Sequence, residues 1–212
     1  MHTSPKPLIF LASASPRRSA LLAQMGVRHE VRPVDIDERI LPGETPSLYV
    51  RRLAIAKAEA LWSGLAVHER APVLGSDTTV ALGNDILGKP ADQCDGLQML
   101  QRLSARTHQV YTAVALRHSG GCDSRLSVSD VTFRALSSLE MTAYWRTGEP
   151  ADKAGGYAVQ GLAALFIERI AGSYSGIVGL PVYETGELLH MIGYPLLEAA
   201  ALSESRRSGL AG

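Results

Sequence analysis

The segment that most constrains this chain lies near its start, where an apolar run gives way to serines and arginines and then to a helical pattern. Residues 8–12 are apolar over the length of a short strand, and Leu21, Leu22 and Met25 recur at helical spacing. The sequence therefore predicts that residues 13–18, Ser-Ala-Ser-Pro-Arg-Arg, lie where a buried strand passes into a helix.

This junction has the chemistry of an anion-binding site. The free amides of a helix start direct positive charge outward, Ser15 is placed to cap the helix, and Pro16 suits its first position. Arg17 and Arg18 add planar guanidinium groups that match phosphate oxygens. An ordinary capped helix with solvated arginines explains the same residues, so the pattern alone leaves both interpretations open.

The composition limits the partners that such a site can serve. The chain of 212 residues has 21 basic and 21 acidic residues and a formal net charge of +0, so no overall field attracts a nucleic acid or an anionic membrane. Cys94 and Cys122 lack partners at metal-binding spacing, which argues against a zinc site and a disulfide framework. No apolar run approaches the roughly 20 residues that cross a bilayer, and no signal peptide is recognisable. We therefore expect one cytoplasmic domain over residues 1–212.

Periodicity and turn signals predict the remaining elements. We expect strands over 30–36, 72–74, 79–82, 85–87, 109–117, 127–133 and 162–170, and helices that begin near Thr45, Asp92, Ser137 and Leu180. Ser137 and Glu140 have the spacing of a capping box. We expect an ordered core over about residues 8–197 and a mobile tail over 203–212.

Residues 83–89 match the G-x-x-x-x-G-K spacing of a P-loop, which would indicate a kinase or an ATPase. Pro90 stands where the magnesium-binding Ser or Thr belongs, and the surrounding residues alternate as in a hairpin. A P-loop requires a buried strand that passes into a helix, so we reject the match. Lys89 stays a candidate phosphate ligand that the hairpin delivers as a point charge.

Acidic residues in two segments are candidates for catalysis or metal binding. Asp77 follows a short apolar strand, and rigid strand ends often carry catalytic groups, although an aspartate that caps a turn explains the residue equally well. Asp37 and Glu38 form an acidic turn that is either solvated or joins Asp77 in an oxygen-rich site suited to Mg²⁺. Lys57, on the second helix, would by default face solvent.

A glycine-rich segment over residues 152–157 leads to Gln160 and Gly161. Glycines allow a backbone to approach a ligand closely, and a glutamine amide can recognise the donor and acceptor edge of a nucleobase. A plain turn would explain the glycines but would not need the glutamine.

Together these segments resemble the Maf family of nucleoside triphosphate pyrophosphatases. The resemblance is carried, in this order, by Leu11-Ala12-Ser13-Ala14-Ser15-Pro16-Arg17-Arg18, Gly75-Ser76-Asp77-Thr78, Gly88-Lys89-Pro90, residues 153–161 and Val178-Gly179-Leu180-Pro181. It implies an elongated α/β domain with a mixed, strongly twisted sheet flanked by helices, and two lobes around a central cleft. It also implies hydrolysis of a nucleoside triphosphate to the monophosphate and pyrophosphate with Mg²⁺ or Mn²⁺, in a protein that is often a homodimer.

The resemblance also assigns roles to residues. The catalytic acid of the family falls on Asp77, and the positions that select the substrate fall on Arg17, Thr78 and Gln160, a set that resembles the branch acting on dTTP and UTP. A sister branch that acts on 7-methyl-GTP typically has a large aromatic residue and a glutamate at the first and last of these three positions. Phosphate binding falls on Ser13, Arg18, Lys57 and Lys89, and metal binding on Glu38 and Asp77. Asp37 stays an alternative to Glu38, and a nucleotide-binding regulator of cell division stays the alternative function.

Overall fold

The computed structural model describes residues 7–197, and the tail expected to be mobile lies outside them. The strands are β1 (Ile9–Leu11), β2 (His29–Val31), β3 (Val73–Leu82), β4 (Asp85–Leu87), β5 (Thr107–His118), β6 (Gly121–Phe133) and β7 (Ile167–Ala171). The α-helices are α1 (Pro16–Gln24), α2 (Pro46–Gly64), α3 (Gln93–Leu103), α4 (Ser138–Trp145), α5 (Tyr174–Val178) and α6 (Val182–Met191). Short 3₁₀ helices lie at Val67–Glu69, Glu149–Asp152, Ala154–Gly156 and Leu162–Leu165. The predicted α/β fold is confirmed.

The strands form one mixed sheet in the order β2-β1-β3-β5-β6-β7, with β4 paired to β3 beside this path. Strand β1 runs parallel to both of its neighbours, whereas the pairs from β3 to β7 are antiparallel. The long strands β3, β5 and β6 therefore form the centre of the molecule, and β3 connects the parallel part of the sheet to the antiparallel part.

Alternating side chains distribute the core between the two faces of this sheet. Ile9 and Leu11 pack with residues of α1 and α6 on one face, whereas Phe10 packs with residues of α2 on the other. A third cluster contains Leu100, Leu103, Val110, Val131, Phe133, Tyr144, Tyr157 and Phe166, from α3, α4, the antiparallel strands and the loops after them. Among residues 7–197, none of the helices is long and apolar enough to cross a membrane.

The strand that carries Asp77 differs from its prediction. The sequence indicated a strand over 72–74 that ends in residues 75–78, with Asp77 either at a strand end or capping a turn, and a separate strand over 79–82. Instead, β3 runs through all three segments and pairs with β5. The predicted break between two strands is wrong because cross-strand hydrogen bonds keep these turn-favouring residues extended. Asp77 consequently stands in the middle of a central strand and not at a strand end.

Gly75 explains how α2 can pack so closely on this strand. A Cβ atom at Gly75 would lie 2.2 Å from the carbonyl oxygen of Ala54 in the helix, which no side chain could tolerate. The glycine therefore permits a close helix–strand contact, which brings the helix that carries Lys57 against the strand that carries Asp77.

Other boundaries were also predicted imperfectly. Strand β6 begins at Gly121 and not at residue 127, because β5 offers pairing partners over its whole length. The expected strand over 162–170 is wrong in its first half, where a 3₁₀ helix precedes β7, and helix α5 was not predicted. Strand β2 ends at Val31, five residues before its expected end at Ile36.

The two predicted helix caps had different outcomes. Ser15 occupies the position before α1, but its side chain makes no capping hydrogen bond. Ser137 and Glu140 form both hydrogen bonds of a capping box at the start of α4, as predicted. The hairpin between β3 and β4 is also confirmed, so residues 83–89 lack the strand-to-helix context of a P-loop.

Candidate active site

A cleft of about 650 Å³ collects the candidate residues from distant parts of the sequence. Its walls include Ala12 and Val34 from the cluster that Phe10 forms with residues of α2. They also include Val80, Val110 and Tyr157 of the third cluster. The candidate residues that line it are Ser13, Arg17, Arg18, Glu38, Lys57, Asp77, Thr78, Lys89 and Gln160. Every residue that the resemblance assigned to the site therefore faces one cleft.

The two alternatives in the acidic turn occupy different environments. Glu38 lines the cleft, whereas Asp37 is exposed and forms an ion pair with Arg39. The hydrogen bonds from Arg39 lower the pKa of Asp37 to about 2. The structure thus brings Glu38, and not Asp37, together with the other candidate residues.

Lys57 joins two carboxylates at the centre of the cleft. Its Nζ lies 2.7 Å from Oδ1 of Asp77 and 2.6 Å from Oε1 of Glu38. The Lys57 side chain is only 10% exposed, so the default interpretation of a solvent-facing lysine does not hold, because this lysine lies beside other candidate site residues. Burial of an ammonium group requires such partners, because an unpaired charge away from water is costly.

Burial raises the pKa of the Asp77 carboxyl above its usual range, while the positive charges of Lys57 and Arg18 oppose the rise. A carboxylate whose pKa is shifted toward neutrality is a better proton acceptor than an exposed one, provided that it stays ionised at the working pH. Lys57 and Arg18 favour that ionised form. The site therefore combines a strengthened base with the cations that keep it charged.

The segment over residues 32–45, which carries Glu38, has no helix or strand and is attached to α2 by side chains. The Tyr49 hydroxyl donates a hydrogen bond of 3.0 Å to the carbonyl oxygen of Glu38. Arg52 forms two hydrogen bonds with the carboxylate of Glu44, at 2.6 and 2.7 Å. Burial, together with the negative charges of Asp77 and Glu38, raises the pKa of Tyr49 to about 12, so its hydroxyl stays a donor.

The same carboxylates fit a divalent metal ion by their chemistry. Within residues 7–197, Oδ2 of Asp77 and Oε2 of Glu38 make no hydrogen bond, so each carboxylate has a lone oxygen available. Mg²⁺ in phosphate-binding enzymes commonly takes one or two protein carboxylates and completes its shell with substrate phosphates and water. In the described part of the chain, no group of three or more His, Cys, Asp or Glu residues could hold a metal.

Arg18 is fixed in place by three partners. Its Nε donates to the carbonyl oxygen of Gly179 at 2.8 Å, and its two terminal nitrogens donate to Oγ of Ser13 at 2.9 Å and to Oγ1 of Thr78 at 3.3 Å. Burial lowers the pKa of the Arg18 guanidinium, and the nearby Asp77 raises it. Arg18 is thus a preorganised cation whose direction is set before any ligand arrives.

Residues that the sequence analysis did not assign support this arrangement. The Thr112 hydroxyl lies 3.0 Å from Oγ1 of Thr78 and donates to the carbonyl oxygen of Gly176 at 2.7 Å. Ser76 Oγ lies 3.1 Å from the carbonyl oxygen of Gly179. Ser76 and Gly179 lie within two of the motifs that carry the family resemblance, so the sequence could have indicated them. Thr112 lies within an ordinary strand pattern, which does not mark it as a site residue.

Two cations of the cleft have no protein partner. In the part of the chain that the structure describes, Arg17 and Lys89 form neither a hydrogen bond nor an ion pair, although both line the cleft. Lys153, also in the lining, is paired with Asp152. Arg17 and Lys89 are therefore available to bind anionic groups of a ligand.

Gln160 also lines the cleft, on the loop that follows the third 3₁₀ helix. Ala158 and Val159 before it are buried, but Gln160 is exposed and borders both the main cleft and a shallow apolar groove beside α1. Arg17 borders the same groove. The amide of Gln160 is thus presented to a ligand from a loop whose backbone is packed.

The comparisons with known proteins agree with this site. Residues 8–192 match the family described as "Maf-like protein". A "dTTP/UTP pyrophosphatase" of Saccharophagus degradans is 51% identical over 91% of this chain and 92% of its own, and one of Pseudoalteromonas atlantica is 50% identical over 86% and 95%. The solved Ham1 protein of Staphylococcus aureus is 14% identical with a TM-score of 0.43, over 59% of this chain and 71% of that chain, a likeness too weak to carry an argument. With a family match across nearly its whole described length and relatives at half identity, the chain belongs to the Maf family.

Proposed function

We propose that this protein is a nucleoside triphosphate pyrophosphatase that hydrolyses dTTP and UTP to the monophosphate and pyrophosphate. The relatives named dTTP/UTP pyrophosphatase, at about half identity over most of both chains, support this activity. The observation that carries the proposal is the contact of Lys57 with Asp77 and Glu38 in one cleft with Arg18 and Gln160.

The charge distribution suits this reaction. A triphosphate repels a nucleophile until cations neutralise its oxygens, and positioned cations supply most of the catalysis in phosphoryl transfer. Arg18 and Lys57 are fixed by protein partners, whereas Arg17 and Lys89 are free to close on the ligand. Together they neutralise the chain of phosphates along the cleft.

Asp77 serves as the general base. It accepts a proton from water while the water oxygen bonds to the α phosphorus. The phosphoanhydride bond between the α and β phosphates breaks at the same time. Pyrophosphate leaves, and the nucleoside monophosphate retains the new oxygen. Lys57 holds the Asp77 carboxylate through Oδ1, so the remaining oxygen, Oδ2, would serve both the water and the metal, one through each of its lone pairs.

A divalent metal ion is part of the proposal. Asp77 and Glu38 would hold it together with phosphate oxygens, and Mg²⁺ or Mn²⁺ would supply further neutralisation of the leaving pyrophosphate.

We also propose that the protein works in the cytoplasm as a homodimer. The family resemblance supports both proposals, and the free thiols of Cys94 and Cys122 support the location.

Base selection falls to Gln160, with Arg17 and Thr78 as the other selecting positions. The amide of Gln160 offers one donor and one acceptor to the edge of uracil or thymine, which presents a complementary pair. Thr78 is engaged by Arg18 and Thr112, so it acts mainly by setting the width of the cleft beside the strand.

A product assay tests the proposal. Purified protein is incubated with dTTP, UTP, CTP, ATP and GTP plus Mg²⁺ or Mn²⁺, and pyrophosphate and inorganic phosphate are measured separately. We expect pyrophosphate from dTTP and UTP, with an equal amount of monophosphate. Inorganic phosphate as the main product would contradict the proposal, and so would tight nucleotide binding without turnover, which fits a regulator.

A further inference from the structure

The loop that presents Gln160 is fixed on both sides by two side chains with no role assigned so far. Residues 157–161 contain neither a strand nor an α-helix, so sheet or helix hydrogen bonds cannot fix the position of Gln160. An exposed side chain on such a loop selects a ligand only if its backbone is held in place by other contacts.

The hydroxyl of Tyr144, from α4, holds the first side of the loop. It accepts a hydrogen bond of 3.2 Å from the backbone amide of Ala158, two residues before Gln160. It also donates a bond of 2.7 Å to Oε1 of Glu149. Tyr144 is only 4% exposed and packs edge-on against Phe166, so its hydroxyl has little freedom to move.

The carboxylate of Glu149 holds the second side. Its Oε2 accepts from the amide of Leu162 at 2.9 Å, and its Oε1 accepts from the amide of Ala163 at 3.3 Å. Glu149 is thus bonded to the backbone just after Gln160 and, through Tyr144, to the backbone just before it. These hydrogen bonds lower the pKa of Glu149, against the opposing effect of burial, so it is a carboxylate at neutral pH.

Gly161, next to Gln160, shows how tightly the carboxylate contacts the loop. A Cβ atom at Gly161 would lie 2.2 Å from Oε2 of Glu149. Since the φ angle of Gly161 is −108°, its backbone is open to any residue, and the contact with Glu149 explains the glycine.

We infer that Tyr144 and Glu149 are positioning residues for base selection, because together they hold the loop on either side of Gln160 while contacting no ligand themselves. This inference rests on the proposed function for the identity of the ligand. Neither residue lines the cleft, so their effect on the reaction passes through Gln160.

Tyr144→Phe tests the inference because it removes one hydroxyl and keeps the packed ring. We expect the amides of residues 158–163 to exchange hydrogen for deuterium about tenfold faster, and the ratio of kcat/KM for UTP over CTP to fall about tenfold. The fall should come mainly from KM for UTP, since Asp77 and Lys57 are untouched. Glu149→Gln should show the same pattern.

The matched control is Tyr194→Phe. Tyr194 is buried to a similar degree, and its hydroxyl also bonds a backbone amide, that of Arg28, but it belongs to the opposite core cluster. The Tyr194→Phe variant should lower the thermal midpoint of unfolding as Tyr144→Phe does. It should not change hydrogen–deuterium exchange at residues 158–163 or the ratio of kcat/KM for UTP over CTP.

Gly161→Ala provides an independent variant, because the added methyl group displaces the Glu149 carboxylate without removing a polar atom. It should reproduce the faster exchange and the lower UTP/CTP ratio.

Unchanged exchange over residues 158–163 in all three variants would overturn the inference, and so would faster exchange with an unchanged UTP/CTP ratio. Failure of the proposed function would appear differently, as wild-type protein that releases no pyrophosphate. The ratio is then taken from the Kd values of UTP and CTP by calorimetric titration, so that the inference is still decided.

Discussion

The cleft residues fall into two sets, named the phosphate end and the base end for their proposed roles, and the two sets are built in different ways. At the phosphate end, Lys57, Asp77 and Arg18 stand on α2, β3 and α1, and each is bonded to protein atoms before a ligand arrives. At the base end, Gln160 is exposed on an irregular loop, and Arg17 has no partner among residues 7–197. Lys57, Asp77 and Arg18 are therefore preorganised by partners on regular elements, whereas the amide of Gln160 is left free on a loop whose backbone is held by Tyr144 and Glu149.

This difference follows from the free-energy cost of leaving each kind of group without a hydrogen-bond or ion-pair partner. Buried charges need partners, and a helix and a strand in contact supply them at fixed positions. A neutral amide that must read a base gains selectivity only when its donor and acceptor are unpaired in the free protein, because the wrong base then leaves them unsatisfied. Changes at the phosphate end should therefore affect all nucleotides equally, and changes at the base end should alter the ratio between nucleotides.

The largest effect should come from Asp77→Asn. The amide keeps the shape of the carboxylate but cannot accept the proton of water, so we expect kcat to fall by about 10² to 10⁴ with KM nearly unchanged, for every nucleotide in the panel. Pyrophosphate release measures the effect. The control is Asp123→Asn, a half-exposed residue of β6 paired with His118. Turnover close to wild type in Asp77→Asn would remove the base from the mechanism.

Lys57→Met should have the next largest effect. Without the ammonium group, kcat/KM should fall about 10²-fold for all nucleotides, as expected for the loss of one electrostatic donor. Since Lys57 opposes the raised pKa of Asp77, its removal raises that pKa further. Activity requires ionised Asp77 and is lost as the pH falls through its pKa, so the acid limb of the kcat profile should move to higher pH.

The displacement of the acid limb toward higher pH is measured against the wild-type profile. Arg117→Met controls for the loss of a cation, because Arg117 forms an ion pair with Glu59 of α2 and does not line the cleft. An acid limb in Lys57→Met at its wild-type position would contradict the coupling between Lys57 and Asp77.

The sequence predicted which residues line the cleft better than it predicted the elements that carry them. Local motifs pointed to Ser13, Arg18, Asp77 and Gln160, and the structure places all four in the lining of one cleft. The continuous strand through Asp77 could not be read locally, since residues 75–78 favour a turn and only pairing with β5 keeps them extended. The sequence also could not distinguish Asp37 from Glu38, because the choice depends on side-chain directions in an irregular segment.

Burial of Lys57 was likewise beyond local patterns. Its helix shows an ordinary amphipathic pattern, and the lysine is buried because Gly75 allows α2 to approach β3 at the level of Asp77. The support of the Gln160 loop was missed for a similar reason. Tyr144 is an unremarkable core position in sequence, and Glu149 is one of many acidic residues, so only the folded chain shows that they bond the same loop.

Gln160→Glu should give a smaller effect confined to the base end. Replacing the amide donor by a carboxylate leaves one hydrogen bond to the pyrimidine unmade and places a negative charge opposite a carbonyl oxygen. We expect kcat/KM for dTTP and UTP to fall about 10- to 100-fold, with hydrolysis of the other nucleotides much less affected. Gln98→Glu, on an exposed part of α3, is the control. Equal losses across the panel would mean that the two ends are not separate in function.

The smallest effect should come from Ser13→Ala, which tests whether Arg18 also helps to place the base. The Ser13 hydroxyl accepts one hydrogen bond from Arg18 and a longer one, of 3.3 Å, from the backbone amide of Ser15. Arg18 keeps its bonds to Gly179 and Thr78 in the variant, so it should lose only part of its orientation. We expect kcat/KM to fall about fivefold, which corresponds to one hydrogen bond of about 1 kcal/mol. Ser104→Ala, which removes a similar bond to the amide of Leu136, should leave kcat/KM unchanged. If Arg18 binds phosphates and not the base, as proposed, the fivefold loss should be the same for UTP and CTP, and a changed ratio would show that Arg18 also helps to place the base.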